Sequence, residues 1–159
     1  MKRTKALDAL AAAKVAHEVR EFEASEFTAE ETARELGLPL SILFKTLVVR
    51  GERRGVMLAL VSGERELSLR KLAQAAGDKR VEMVDVAELP RLTGYLKGGC
   101  SPLGIKVGGR TGYPTFIDAS AFSHERISIS AGLRGVQVLL DPRDLARLTN
   151  ATKADLTDA

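Results

Sequence analysis

Apolar positions along this chain recur with two periods, and the switches between them mark its elements. Ala6, Leu7, Leu10, Ala13 and Ala16 follow helical spacing and predict an amphipathic helix over Thr4 to Lys14. "HEVREFE" alternates through Val19, ends on Phe22 and reads as a strand. "TAEETARELG" has the signature of a capping box, with Thr28 as N-cap and Glu31 three residues on. Gly37 terminates that helix, and Pro39 keeps it from continuing. "LFKTLVVRGERRGVMLALVSG" is a hairpin: two apolar β-type runs around a short charged loop with Gly51 and Gly55. "SLRKLAQAAG" is a helix from Ser68 to Gly77, and "VEMVDVAELPRLTG" a short strand followed by a short helix. "TFIDA", "RISISAG" and "VQVLL" are strands, and "DPRDLARLT" is a final helix with Asp141 as N-cap and Pro142 at its first position. Residues from Asn150 onward are expected to fray.

Helices and strands are mixed, and several strand pairs are joined by short loops, so a strict βαβ repeat is excluded. The expectation is a mixed α/β fold: a curled, mostly antiparallel sheet or partial barrel with flanking helices, one domain over residues 1–159.

Two features do not follow from that frame. In "ILFKTLVV", alternation places Phe44, Thr46 and Val48 on one face and Lys45 with Leu47 and Val49 on the other. A strand lysine either snorkels its head to solvent or holds an anionic or carbonyl group of a ligand. The second feature is the glycine-rich "GYLKGGCSPLG", within a stretch from Gly94 to Tyr113 that also holds Gly108 and Gly109. It does not run from a strand into a helix, as phosphate-binding loops do. It is either an ordinary surface loop or one whose backbone N–H groups converge on a ligand, with Pro102 stiffening the turn.

Composition narrows the chemistry. With one cysteine, Cys100, an intrachain disulfide and a thiolate-rich metal site are excluded, and His17 and His124 lack ligand spacing. Cys100 reads as a small apolar loop residue rather than a nucleophile, since no histidine lies near it in sequence. Ser101 and Ser130 lack a GxSxG elbow and read as polar contacts. Net charge is +3, with an acidic run at Ala24 to Glu35 and a basic middle that includes Arg50, Arg53, Arg54, Lys79, Arg80 and Arg110. That asymmetry suits a polyanion or simply a solvated surface. Aromatic residues make up 4% of the chain and tryptophan is absent, which weakens a reading based on extended base stacking. Asp8 and Lys14 interrupt the N-terminal apolar pattern, arguing against a signal peptide, and no apolar run is long enough to span a bilayer, so a cytoplasmic location is expected.

"LFKTLVV", "TGYLKGGCSPLG", "PTFIDA" and "ISISAGLRG", in that order, resemble the YbaK/EbsC family, relatives of the editing domain of bacterial prolyl-tRNA synthetases. The resemblance covers nearly the whole chain. It implies hydrolysis of mischarged aminoacyl-tRNA, with Cys-tRNA(Pro) as leading substrate and alanyl or seryl tRNA as alternatives. It implies no cofactor and no metal. The implied partners are the aminoacylated 3′ end of tRNA and, as one option, prolyl-tRNA synthetase. By the same resemblance Lys45 matches the family's essential lysine. Gly99, Cys100 and Ser101 match the loop that approaches the aminoacyl carbonyl. Phe22, Thr46, Pro102, Ser130 and Gly132 are the implied substrate-binding residues. The Cys-specific branch carries Tyr where Phe22 aligns and Asp near Gln137, so amino-acid specificity stays open. Two other classes remain: a non-catalytic module of this fold that binds tRNA ends or nucleotides or docks on a synthetase, and an unrelated small-molecule hydrolase, for which no triad or metal set is evident.

Overall fold

Thr4 opens the first helix as expected: its side chain accepts the Leu7 N–H, and α1 runs over Lys5–Ala12. The structure, a computed structural model, describes residues 2–107 and 110–158. Gly108 and Gly109 therefore lie outside the described residues, and only the backbone of Arg110 is described. The helix is shorter than its periodicity suggests. Lys14 takes a left-handed φ of 57° and turns the chain, leaving Ala13 and Ala16 exposed. The other elements, in order, are β1 (His17–Glu21), α2 (Ala29–Leu36), β2 (Phe44–Gly51), β3 (Gly55–Ser62), α3 (Leu69–Ala76), β4 (Val81–Met83) and α4 (Leu89–Thr93). There follow β5 (Lys106–Val107), β6 (Arg110–Thr111), β7 (Thr115–Asp118), β8 (Ile127–Leu133), β9 (Val136–Leu140), α5 (Pro142–Thr149) and β10 (Thr152–Ala154).

The larger strands form two sheets. One has the order β10-β7-β3-β2-β4 and the other β1-β9-β8, with β5 and β6 pairing as a separate small hairpin. Pairing is antiparallel except where β7 lies parallel to β3 and β10. An isolated parallel bridge between Leu43 and Ser128 joins the two sheets, which do not close into a barrel.

Strand β3 is buried on both faces, so its period-2 pattern splits the core. Leu60 joins Ala6, Leu10, Phe44, Ile129 and Val138 in the cluster that α1 and the three-stranded sheet close. Met57, Ala59 and Val61 face the other way, with Leu72 of α3, Phe116 and Leu156. Val48 and Leu58 pack with Tyr95, Cys100 and Ile105 in a third cluster beneath the glycine-rich loop.

The C-terminal residues correct the expectation of fraying. β10 pairs with β7, Leu156 is fully buried, and the Leu156 N–H donates to Asp118 Oδ1 at 2.8 Å. Lys71 Nζ donates to the Thr157 carbonyl at 2.7 Å and to Asp155 at 2.9 Å. The tail shows no periodic apolar pattern because one leucine, backbone pairing and a borrowed carboxylate anchor it. Leu156→Ala is expected to cost about 2–4 kcal/mol by opening a cavity there. The reading is a lower denaturant midpoint at unchanged slope; an unchanged midpoint would mean that the tail adds nothing to the core.

Candidate functional site

Strand β2 is covered unequally. β3 pairs with it from Phe44 to Gly51, but β4 pairs only with Val49 to Gly51. The Val84 N–H donates to the Val48 carbonyl at 3.1 Å, which fixes the side to which Val48 turns its backbone groups. By the two-residue period of a strand, Thr46 turns its N–H and C=O to that same, now uncovered, side. A cleft of about 250 Å³ opens there, and Phe27, Lys45, Thr46, Cys100, Ser130 and Gln137 contribute to its wall. The Thr46 hydroxyl is buried and has no hydrogen-bond partner, alone in this among the described residues. Such a group costs about 1–3 kcal/mol unless a ligand satisfies it.

Lys45 stands at the start of β2 with its side chain 29% exposed. Its ammonium lies 3.9 Å from Glu66, whose own side chain is almost wholly exposed, so this pair is weak. The lysine keeps its head partly in solvent and also lines the cleft.

The glycine-rich loop begins where α4 ends. The buried Tyr95 closes its neck by donating its hydroxyl to the Leu103 carbonyl at 2.6 Å. Gly99 packs against the turn between β8 and β9, and a Cβ there would sit 3.0 Å from the Arg134 nitrogen. Its N–H is consumed within the loop by the Leu96 carbonyl at 2.9 Å. Among the described residues no backbone carbonyl outside regular structure accepts from the N–H of Cys100 or Ser101. The Ser101 side chain is turned inward, where its Oγ accepts the Leu103 N–H at 3.2 Å. Burial pushes the Cys100 thiol up to about 11, so at neutral pH it carries its proton and is a poor nucleophile.

On the three-stranded sheet, Ser130 Oγ accepts the Gly132 N–H at 3.2 Å, leaving its own proton to be donated. Gln137 Oε1 accepts from Ser128 Oγ at 2.8 Å, which leaves the amide NH₂ as the group still to be placed. Gly99, Ser101 and the other expected residues are not part of the cleft wall. Gly132 packs on the Tyr95 ring, and Phe22 follows β1 and donates its N–H to the Gly135 carbonyl. Pro102 lines a separate cavity of about 480 Å³ behind the loop, with Lys5, Leu103 and Tyr113. No group of three His, Cys, Asp or Glu side chains among the described residues could hold a metal ion. No helix among them is long and apolar enough to cross a membrane.

One residue of the site region was misread in the sequence. Thr28 Oγ1 does accept the Glu31 N–H at 3.1 Å, but the Glu31 carboxylate does not complete a capping box. It accepts instead the N–H groups of Ser25 (2.9 Å), Glu26 (3.1 Å) and Phe27 (2.9 Å), and also the Ser25 hydroxyl. Those donors, the Ser25 hydroxyl foremost, hold its pKa down to about 2. They also fix Phe27 at a left-handed φ of 61° on the rim of the cleft. No sequence spacing announces such a clamp, because its donors are backbone groups of an irregular segment.

Comparison with known proteins follows the same lines. Residues 23–148 match the family described as aminoacyl-tRNA editing domain. A protein of Enterococcus faecalis named "Putative Cys-tRNA(Pro)/Cys-tRNA(Cys) deacylase EbsC" is 41% identical over 146 residues, covering 91% of this chain and 87% of that one. A proline–tRNA ligase of Thermosipho africanus is 36% identical over 77 residues, which cover 48% of this chain and 14% of the ligase. A crystal structure described as "a putative trans-editing enzyme for prolyl tRNA synthetase" superposes with a TM-score of 0.84 at 28% identity over the full length of both chains. This chain belongs to the aminoacyl-tRNA editing domain family. Within that family it falls with the YbaK/EbsC proteins, which are related to the editing domain of prolyl-tRNA synthetases.

The Glu31 clamp makes a testable contribution to acid stability. A carboxyl titrating near 4.5 when unfolded and near 2 when folded stabilises fully above about pH 4.5. That contribution is lost as pH falls through the folded value. Glu31→Gln should therefore unfold at lower denaturant than the wild type at neutral pH. The gap should close between about pH 4.5 and 2; a gap constant with pH would rule the clamp out.

Proposed function

We propose that this protein is an aminoacyl-tRNA deacylase acting in trans, with Cys-tRNA(Pro) as its leading substrate. The observation that carries the reading is a cleft in an editing-family chain where Lys45, the unpartnered Thr46 hydroxyl and the Cys100 loop meet along an open strand edge. The 41% identity to a protein named as a deacylase for cysteinyl tRNA supports the substrate class.

The chemistry asked of the site is modest. An ester carbonyl gains negative charge as it becomes tetrahedral, and N–H donors held in place stabilise that charge. Cys100, the loop residue on the cleft wall, supplies the loop donor, because the Gly99 N–H is already committed to Leu96. Lys45 positions the carbonyl or a nearby phosphate as a compact cation rather than attacking it. The Thr46 hydroxyl and its edge-facing backbone groups hold the aminoacyl moiety. The Cys100 thiol does not attack, given its raised pKa. With a cysteinyl substrate, the substrate's own sulfur can form the new bond to the carbonyl carbon. The ester C–O bond then breaks, and the thiol proton ends on the departing tRNA hydroxyl. With other amino acids, water takes the part of the sulfur.

Gln137 supports a second reading of specificity. Its oxygen is engaged by Ser128, so it presents an amide donor, unlike the carboxylate noted above for the Cys-specific branch. A small side chain that accepts a hydrogen bond, such as that of serine, is then an alternative guest in the same cleft.

Release of amino acid from Cys-tRNA(Pro), Ala-tRNA(Pro) and Ser-tRNA by wild type, Lys45→Ala and Cys100→Ala tests both readings. Lys45→Ala is expected to lower kcat/KM by about 100-fold, while Cys100→Ala stays within a few-fold of wild type. Full activity in Lys45→Ala would refute the role given to the lysine. Loss of all activity in a folded Cys100→Ala would refute the inert thiol.

A further inference from the structure

Five large apolar side chains are exposed among the described residues: Phe27, Met83, Val86, Leu96 and Leu133. They are not scattered. Phe27, Met83 and Val86 line the cleft, Leu96 precedes the cleft residue Lys97, and Leu133 backs Gly99. An apolar rim of this kind marks a surface that meets a partner. Three cations share it. Lys45 and Lys97 line the cleft, and the Arg134 guanidinium lies 4.2 Å from the centre of the Phe27 ring while its Nε donates to the Lys97 carbonyl at 2.8 Å. Among the described residues, the one acidic neighbour paired with these cations is the loosely held Glu66.

Phe27 is the most constructed part of the rim. Its backbone sits in a region that non-glycine residues seldom adopt, and the buried Glu31 carboxylate holds it there through three consecutive N–H groups. Gly98 packs against its Cβ, where any larger residue would clash. With the guanidinium against its ring, the residue as a whole is still 36% exposed. A hydrophobic residue merely left over at a surface would not need this support.

We propose that the Phe27–Arg134 pair is a stacking platform for an unpaired base at the 3′ end of a nucleic acid, with Lys97 and Arg134 taking the adjoining phosphates. An aromatic ring accepts any base on its face, and a cation behind it matches the backbone charge. One platform suffices for one terminal base, which fits a chain this poor in aromatic residues. The inference rests on the deacylase reading for why such an end enters the cleft. Phe27 would be a positioning residue: it holds the nucleotide so that the ester reaches Lys45 and Thr46, and takes no part in bond breaking.

The chain has no tryptophan, so Phe27→Trp installs a single fluorophore at the platform. A four-nucleotide RNA ending in CCA should quench it saturably, and more weakly in Arg134→Gln or at raised salt. In deacylation, Phe27→Leu should raise KM about tenfold with kcat nearly unchanged, and Phe27→Trp should restore KM. Should the tryptophan variant fail to fold, the leucine variant and Arg134→Gln in the same kinetic assay carry the test alone. Absence of quenching in a folded Phe27→Trp protein, or wild-type KM in Phe27→Leu, would overturn the platform. Lys45→Ala keeps the two ideas apart. Quenching retained in the Phe27→Trp/Lys45→Ala double variant, with activity lost, supports both. Quenching in a protein that deacylates no tRNA supports the platform and sinks the reaction. Deacylation indifferent to residue 27 does the reverse.

Discussion

A strand hydrogen-bonded along one whole edge and only half of the other organises this molecule. β3 covers β2 completely, while β4 stops after three residues. Had β4 been longer, its backbone would have filled the place where the cleft lies. Because it is short, polar groups of β2 are left at a boundary lined by apolar side chains such as Phe27, Ala29, Val84, Leu89 and Cys100, with Ser130 and Gln137 of the three-stranded sheet as its polar part. The cleft is thus the interrupted continuation of a sheet, and a guest entering it meets backbone and hydroxyl groups that a further strand would have paired.

Carboxylates do the complementary task of fixing what the ladders do not reach. Glu31 collects N–H groups of Ser25, Glu26 and Phe27. Asp78 collects those of Arg53, Arg54 and Lys79 at the tip of the β2–β3 hairpin. Asp118 takes Leu156 with one oxygen and Ser120 with the other. In each case an acceptor with several lone pairs replaces a missing strand or helix turn, and the donors lower the pKa of Glu31 and Asp78 in return. Gly51 is bound up with this: a Cβ there would lie 2.1 Å from the Asp78 carboxylate.

The regular elements were legible because each carries its own local signal. Thr28, Ser68 and Asp141 cap the helices they were expected to cap, and Gly37 and Gly77 end theirs in the left-handed conformation. The hairpin and the lysine in its first strand were equally plain. What escaped was set by tertiary geometry. The last strand follows from a backbone edge on β7 that only the folded sheet provides. The Glu31 clamp depends on how the loop before α2 returns to it. The engagement of the Gly99 N–H depends on a turn that could have closed otherwise, and Phe22, expected in the site from the family resemblance, follows β1 outside the cleft wall.

Both ends of the described chain find their partners late. Thr4 reaches the Ala131 carbonyl and β1 pairs with β9, so the first twenty residues have no sheet to join until those near position 140 exist. β7 in turn waits for β10, which covers an edge that otherwise stands open. Contacts of such long sequence separation slow folding, since loop closure must precede the reward. On the ribosome, the β2–β3 hairpin and α3 can form early from local contacts. The three-stranded sheet that supplies Ser130 and Gln137 to the cleft comes together only once the residues up to about 140 have been made. A chain made only as far as β7 therefore has its lysine in place, and the cleft lacks a wall until β8 and β9 are added.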